Sequence, residues 1–479
     1  MEVPDDLESL DRAALIGLVR QLVKVVETLS EVGKDLAAQN AKLQAYVAEL
    51  EARLAKNSKN SSKPPSSDPP FKNLTPPSLR PADGKKKSGG QPGHPGQGLK
   101  KVAEPDHFEP HHPDSCAHCG YCLTNVPASP SGRWQVFDLP AQMKIAVTEH
   151  QRFSRCCPHC HKESNGALPM WLSETTPCQW GPGCRSLGVY LMQQQHLPYE
   201  RTQTLFSDLF GTAPSEGTLF HWLQEAHRRL EPVEAAIAEE LVKAPLVGAD
   251  ETTAKGVGWL HCLVNQFFTW YGCDARRGRK AMNRFELLPR VEGMLMTDCL
   301  SSYVIYGEKR ALCNAHLLRE LTAVYQWGHQ WPDKMISLLV KTKTRVKEAG
   351  GPLSPSELRT LYQQFGRILA WGDRENEKKP IKESRNLIKR LDELRDLYLR
   401  FATTPGAWFD NNISERALRM MKLHVKVSGC FRSTIGCEIL CRIRGYLATM
   451  HKQGMPLMHA LRSVMEGQPI LPPMLATMN

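Results

Sequence analysis

No uncharged apolar run in this chain of 479 residues approaches the roughly twenty residues that a helix needs to cross a bilayer. The opening Met-Glu-Val-Pro-Asp-Asp also lacks the basic start of an export signal. These absences exclude a membrane-spanning reading and lead us to expect a soluble, cytoplasmic protein. Acid is short as well: 50 Asp and Glu face 61 Lys and Arg, a formal charge of +11, which favours a polyanionic partner without identifying it. Evenly paired cysteines are missing too. The fifteen Cys are odd in number, and most, such as Cys178, Cys262, Cys299 and Cys430, stand alone, the pattern of a reducing compartment with a few metal-binding thiols. A chain this long exceeds one ordinary core, so we expect two or more units joined by linkers.

What is present begins with leucine at a strict seven-residue step, Leu15, Leu22, Leu29, Leu36, Leu43 and Leu50, within an expected coiled coil over 8–56. With these at d, the a positions are Val19, Val26, Gly33, Asn40, Val47 and Leu54, so β-branched residues and one Asn face leucines as in parallel dimers. Gly33 weakens the middle of the helix by about 1 kcal/mol relative to Ala. A homodimer or higher oligomer is one reading; an amphipathic helix folded back on its own domain is the other. From 57 to 113 the composition turns to Asn, Ser, Pro, Lys and Gly, too poor in apolar residues to offset the entropy of ordering. This reads as a flexible basic linker, either touching phosphates or serving only as a solvated spacer.

Residues 114–165 carry Cys116-Ala-His-Cys119 and Cys157-Pro-His-Cys160, with alternating segments at 134–139 and 144–150 between them that read as strands. Two such knuckles hold one structural Zn²⁺ through four thiolates, here Cys116, Cys119, Cys157 and Cys160. Cys122, Cys156, His118 and His159 are spare ligands of the right kind. Residues 180–243 are helical in period. Within them 203–211 and 216–227 form helix, Gly-containing turn, helix, the geometry of a DNA-reading helix-turn-helix and equally of any packed helix pair. On the DNA-reading alternative, Ser215, Thr218, His221 and Gln224 share the contacting face.

From Pro245 the period changes. Leu246-Val-Gly-Ala-Asp250 is a short apolar run ending in a carboxylate, followed by two further strands, Gly258-Trp-Leu-His-Cys-Leu-Val264 and Phe267-Phe-Thr-Trp-Tyr271. Gly293-Met-Leu-Met-Thr-Asp298 is a fourth, also ending in Asp. Far downstream, Asn411 and Asn412 precede a helix that projects Glu415. Three such carboxylates suit hard cations, two Mg²⁺ or Mn²⁺ ions that assist an in-line phosphodiester displacement, with Asp250 bridging and Asp298 and Glu415 holding one ion each. Each carboxylate alone also reads as a turn former or a solvated ion pair.

The segments Asp250-Glu-Thr252, Thr297-Asp298 with Tyr303, Cys313-Asn-Ala-His316 with Arg319, Asp410-Asn-Asn412 with Glu415-Arg416-Ala-Leu-Arg419, and Phe431-Arg432-Ser433 resemble the signature blocks of the bacterial insertion-sequence sixty-six family of DDE transposases. Residues 57–68, the two-knuckle segment and the stretch from Trp180-Gly-Pro182 to Thr218-Leu219 are similar to the family's N-terminal, zinc-finger and helical regions in the same order. The likeness therefore covers nearly the whole chain. It implies a multidomain α+β protein with an RNase H-like α/β core at 245–330 and 401–455, dependence on divalent metal, and nucleoid-associated action. The implied reaction is cleavage at the inverted-repeat ends of an insertion sequence and strand transfer into target DNA. Carried over residue by residue, the family's catalytic triad falls on Asp250, Asp298 and Glu415.

Between Asp298 and Glu415 lie 116 residues, more than a minimal core of that kind needs, and 331–400 is charged and helical in period, an expected all-α insertion. We read Cys313 and His316 as structural, since no complementary pair lies near them in sequence. Lys422, Lys426, Arg432, Arg442 and Arg444 follow the third carboxylate and are candidates to neutralise DNA phosphates. A helix over 441–453 is expected to pack on the sheet, and 456–479 reads as a tail. Purified protein should carry structural zinc by elemental analysis, and a chelator should unfold 114–165 while the other domains stay folded; zinc-free protein contradicts the assignment.

Overall fold

The computed structural model describes residues 12–54, 99–129, 131–140, 143–307 and 309–476. The ends of the expected coil, 8–11 and 55–56, and most of the expected linker, 57–98, lie outside the described residues. The chain divides into two compact units, one of 1–77, 173–198 and 220–479, the other of 78–172 and 199–219.

In the first unit the heptad region is a single helix, α1 (Arg12–Leu54), whose Leu15, Leu22, Leu29, Leu36, Leu43 and Leu50 are all exposed, with Val19, Val26 and Val47 beside them. The second unit has little regular structure. Its strands β1 (Ser154–Cys156) and β2 (Glu163–Asn165) pair antiparallel on either side of the second knuckle. The strands expected at 134–139 and 144–150 do not form: Trp134, Val136 and Val147 are 85, 88 and 93 % exposed. Alternation makes a strand only where a partner ladder and a buried face exist, and these segments have neither. The same unit holds α3 (Tyr199–Phe210), which ends at left-handed Gly211.

In the first unit, α2 (Pro182–Val189) opens on proline, whose missing N–H costs nothing in a first turn; α4 (Glu216–Arg229), which belongs to that unit from Phe220 onward, and α5 (Glu231–Lys243) lead into the sheet. Five strands follow: β3 (Leu246–Ala254), β4 (Gly258–Val264), β5 (Thr269–Asp274), β6 (Met294–Thr297) and β7 (Lys309–Leu312), with the short α6 (Arg279–Arg284) between β5 and β6. Their order is β5-β4-β3-β6-β7, antiparallel across β5, β4 and β3 and parallel across β3, β6 and β7. Near-continuous apolar runs such as Leu295 and Met296, both fully buried, are what strands covered on both faces require.

After β7 come α7 (Asn314–Gln326), α8 (Trp331–Ala349), α9 (Pro355–Lys378), α10 (Lys382–Glu393), α11 (Arg395–Tyr398) and α12 (Arg400–Thr403). The expected insertion is thus all helix. Its amphipathic faces close on a core around Trp331, Met335, Phe365 and Leu391, all fully buried, and α9 starts at a capping box in which Ser354 and Glu357 satisfy each other's backbone N–H.

The chain then returns to the sheet through α13 (Asn412–Ser428) and α14 (Thr434–Lys452). The Ser433 hydroxyl caps α14, and Lys452 donates to the carbonyls of Asn265 and Phe268 at the start of β5. Residues 456–476 are not a tail. In α15 (Leu457–Met465), Ala460, Leu461, Val464 and Met465 are fully buried, and Arg229 donates to the carbonyls of Val464 and Met465 at 2.8 and 2.7 Å. A short α16 (Pro473–Ala476) ends the described chain.

The return of α13 depends on an unusually close approach. The Asn411 amide donates to the Ala249 carbonyl on β3 at 2.9 Å, and the Ser414 hydroxyl donates to Asn411 Oδ1 at 2.7 Å; both side chains are buried. Gly248 makes room, since a Cβ there would lie 2.4 Å from Asn411 Oδ1 and 2.5 Å from Ser414 Oγ. Gly248→Ala should therefore lower unfolding free energy by about 1–3 kcal/mol, the usual cost of overpacking. Asn411→Ala, which strands a buried carbonyl, should cost about 1–3 kcal/mol; urea titration of both variants checks this.

His196 and His424 meet edge to face with ring centroids 5.4 Å apart, and burial, with Arg444 nearby, pulls both down to about 4 from an ordinary 6.5. Between those values the unfolded chain binds more protons, so this pair removes stability as pH falls through the window. The urea midpoint should drop more steeply from pH 6.5 to 4.5 in the native chain than in His424→Gln.

Candidate active site

Asp250 lies on β3, the central strand. In the parallel pairing Leu246 faces Met294, Val247 faces Leu295 and Gly248 faces Met296. Continued two residues further, that register sets Asp250 beside Asp298, the residue after β6. Glu415 comes from the first turn of α13, and the Asn411 and Ser414 contacts with β3 fix where that turn sits.

Asp250 feels the other two carboxylates. Asp250 is pushed up to about 8, first by burial, then by the charges of Glu251, Asp298 and Glu415, although the Glu251 N–H donates to it. Glu251, also buried, is raised by desolvation and accepts hydrogen bonds from the Tyr303 hydroxyl and from Arg277 Nε, the latter at 3.0 Å. Asp298 accepts from the Leu300 N–H at 3.0 Å. Glu415 Oε1 lies 3.7 Å from His316 Nε2, and Glu415 Oε2 lies 3.5 Å from Arg319. Among the described residues neither Glu415 Oε1 nor His316 Nδ1 has a hydrogen-bond partner, and both atoms are buried. Burial lowers the His316 pKa, so this imidazole gives only weak compensation to the carboxylates.

The donor set suits a hard divalent cation: oxygen ligands, crowded negative charge in a desolvated place, and one carboxylate oxygen left unpartnered. Cys313, His316 and Glu415 also bring one ligand atom each to within 4.8 Å of one another. Our sequence reading treated Cys313 and His316 as structural and so missed the contact of His316 with Glu415. The C-x-x-H spacing at the start of α7 was the signal, because it sets His316 a short way into a helix that begins where β7 ends.

The other candidates fall in several places. Each knuckle is a tight turn, with the Gly120 N–H donating to the Cys116 carbonyl at 2.8 Å and the His161 N–H to the Cys157 carbonyl at 2.9 Å. Backbone N–H groups at 118–119 and 159–160 hold the Cys116 and Cys157 thiols below their ordinary range. Cys116, Cys119, Cys157 and Cys160 are not among the described groups of three or more ligand-type side chains that converge within 4.8 Å. Ser215, His221 and Gln224 are exposed along α4 and its lead-in, with Thr218 partly exposed between them, while Leu219, Trp222, Leu223 and Ala226 are buried. Lys422, Lys426 and Arg432 are exposed.

Arg442 and Arg444 are a correction. Arg442 is 15 % exposed and ion-paired with Glu234 and Glu231. Arg444 is 5 % exposed and donates to the carbonyls of Gln193 and Gln194 at 3.3 Å. Both guanidiniums tie α14 to other helical segments of its own unit, which removes them from any phosphate-binding surface.

Among the described residues, no helix is long and apolar enough to cross a membrane. A search of curated proteins finds no match. A model described as Family of unknown function (DUF6444) matches residues 2–100. A second, described as Transposase IS66 family, matches residues 177–439. That span is more than half of the chain and contains all three converging carboxylates, so the chain belongs to the IS66, or insertion-sequence sixty-six, family of transposases.

Proposed function

We propose that this transposase is a DDE enzyme with an RNase H-like core, in which Asp250, Asp298 and Glu415 cut at the inverted-repeat ends of its insertion sequence and join them to target DNA. The observation that carries this reading is the β3–β6 register that sets Asp298 beside buried Asp250, with Glu415 from a remote helix adding to the charge that Asp250 feels. The mixed sheet of order β5-β4-β3-β6-β7, with its first three strands antiparallel, supports the RNase H-like assignment.

Asp250 would contact both of two Mg²⁺ or Mn²⁺ ions, with Asp298 and Glu415 holding one each. When bound, such ions activate the attacking water or 3′-hydroxyl and stabilise the leaving oxygen. The protein's own part is positional. The Asn411 and Ser414 contacts set the first turn of α13 against β3, and Arg319, 3.5 Å from Glu415 Oε2, offsets the charge of that carboxylate. Glu251 is turned to Tyr303 and Arg277, so it is held in the middle of β3 and is not free to serve as a fourth ligand. Exposed Lys422, Lys426 and Arg432 are suited to neutralise DNA phosphates and so to make binding fall with salt.

The face bearing Ser215, Thr218, His221 and Gln224 is our candidate for reading the element ends, and the exposed leucine and valine stripe of α1 for pairing with a second copy. The zinc module remains part of the proposal through its two knuckle turns. Asp298→Asn should lower both cleavage and strand transfer by roughly 10³-fold, the scale of losing one electrostatic catalytic group, while end-DNA binding by gel shift stays within about twofold. Undiminished cleavage in that variant refutes the assignment, and cleavage without joining of pre-cut ends in the native protein would mark a plain nuclease.

A further inference from the structure

Away from the carboxylates, three cysteines meet inside the core. Cys273 lies on β5, opposite Leu260 of β4, and Cys437 and Cys441 lie one turn apart on α14. They are 4, 0 and 2 % exposed, and their three sulfurs lie within 4.8 Å of one another. The surrounding cluster is apolar and includes Leu260, Tyr271, Phe431 and Leu440.

Cysteine packs well as a small hydrophobe, and packing alone explains one buried thiol. Packing alone does not call for three sulfurs from two elements turned toward one another, where a methyl or isopropyl group would fill the space as well. We propose that Cys273, Cys437 and Cys441 form a site for one soft, thiophilic metal ion, a zinc-group or cuprous ion, which pins β5 to α14. Sulfur-only coordination selects such ions over the hard cations suited to Asp250 and its partners. Three sulfurs mutually within 4.8 Å can surround an ion whose bonds to sulfur are about 2.3 Å long.

The ligand form of cysteine is the thiolate, so each coordinating thiol gives up its proton. Binding a divalent ion to the three thiols releases three protons to solvent and leaves one net negative charge spread over three sulfurs. Metal–sulfur bonds form and S–H bonds break; nothing is oxidised or reduced. Because the sulfurs are buried, loading accompanies folding. The site stands apart from the DDE chemistry and from the knuckles, so its failure would leave both untouched.

The test removes the competing thiols first. Full-length protein with Cys116→Ser, Cys119→Ser, Cys157→Ser and Cys160→Ser, refolded with Cd²⁺, Zn²⁺ or Cu⁺ in separate arms, should retain one equivalent of at least one of them. X-ray absorption should show a shell of three sulfurs, and the retained ion should raise the unfolding midpoint. Adding Cys437→Ser should abolish both the retained metal and the shift. Should that substitution prevent folding, Cys273→Ala is measured in its place, and the three-sulfur shell in the chain with all three cysteines remains decisive. No retained metal in any arm, or equal retention after loss of a trio cysteine, overturns the proposal.

Discussion

The hydrogen bond from the Asn411 amide to the Ala249 carbonyl holds the candidate active site together. It joins the central strand to a helix that begins more than a hundred residues after β7's neighbour β6 ends, and it does so one residue before Asp250. The bond is possible because Gly248 has no side chain where Asn411 Oδ1 and Ser414 Oγ lie. Loop closure over so long a segment is entropically unfavourable, and the buried helical core of the insertion, together with this polar lock, offsets it. The position of Glu415 follows from that packing, because these contacts seat the first turn of α13 on β3.

The electrostatics then follow from burial. Burial raises Asp250 to about 8, and the neighbouring charges of Glu251, Asp298 and Glu415 add to the rise. Such a cluster lowers the stability of the free fold unless positive charge enters. Arg277 answers part of it at Glu251, and Arg319 part at Glu415; among the described residues no ion pair answers it at Asp250.

Much of this could be read in the sequence, for identifiable reasons. The apolar runs ending at Asp250 and Asp298 are short and strongly patterned, so β3 and β6 were legible, although β3 runs on through polar residues to Ala254 and leaves Asp250 in mid-strand; helices at 331–400 and the packing of α14 on the sheet were legible too. The motif blocks pointed to the family. Contacts between remote residues were not legible. Nothing in local sequence says that Gly248 receives Asn411, that His316 touches Glu415, or that Arg442 and Arg444 spend their charge inside the protein. Alternation at 134–139 and 144–150 misled because period two specifies a strand only when a partner strand is at hand. The helix from 457 hid behind its short length and its distance from any motif, and only packing against its neighbours shows that it belongs to the core.

The most direct test of the central claim is a metal-specificity switch at the third carboxylate. Glu415→Cys replaces a hard oxygen ligand with a soft sulfur, which Mg²⁺ binds poorly and Mn²⁺ accepts better. With pre-cut element ends and a target plasmid, the variant should be inactive in Mg²⁺ and regain strand transfer in Mn²⁺, while Glu415→Ala stays inactive in both. Equal activity of Glu415→Cys in the two metals, or recovery of Glu415→Ala in Mn²⁺, would show that this side chain does not hold the catalytic ion.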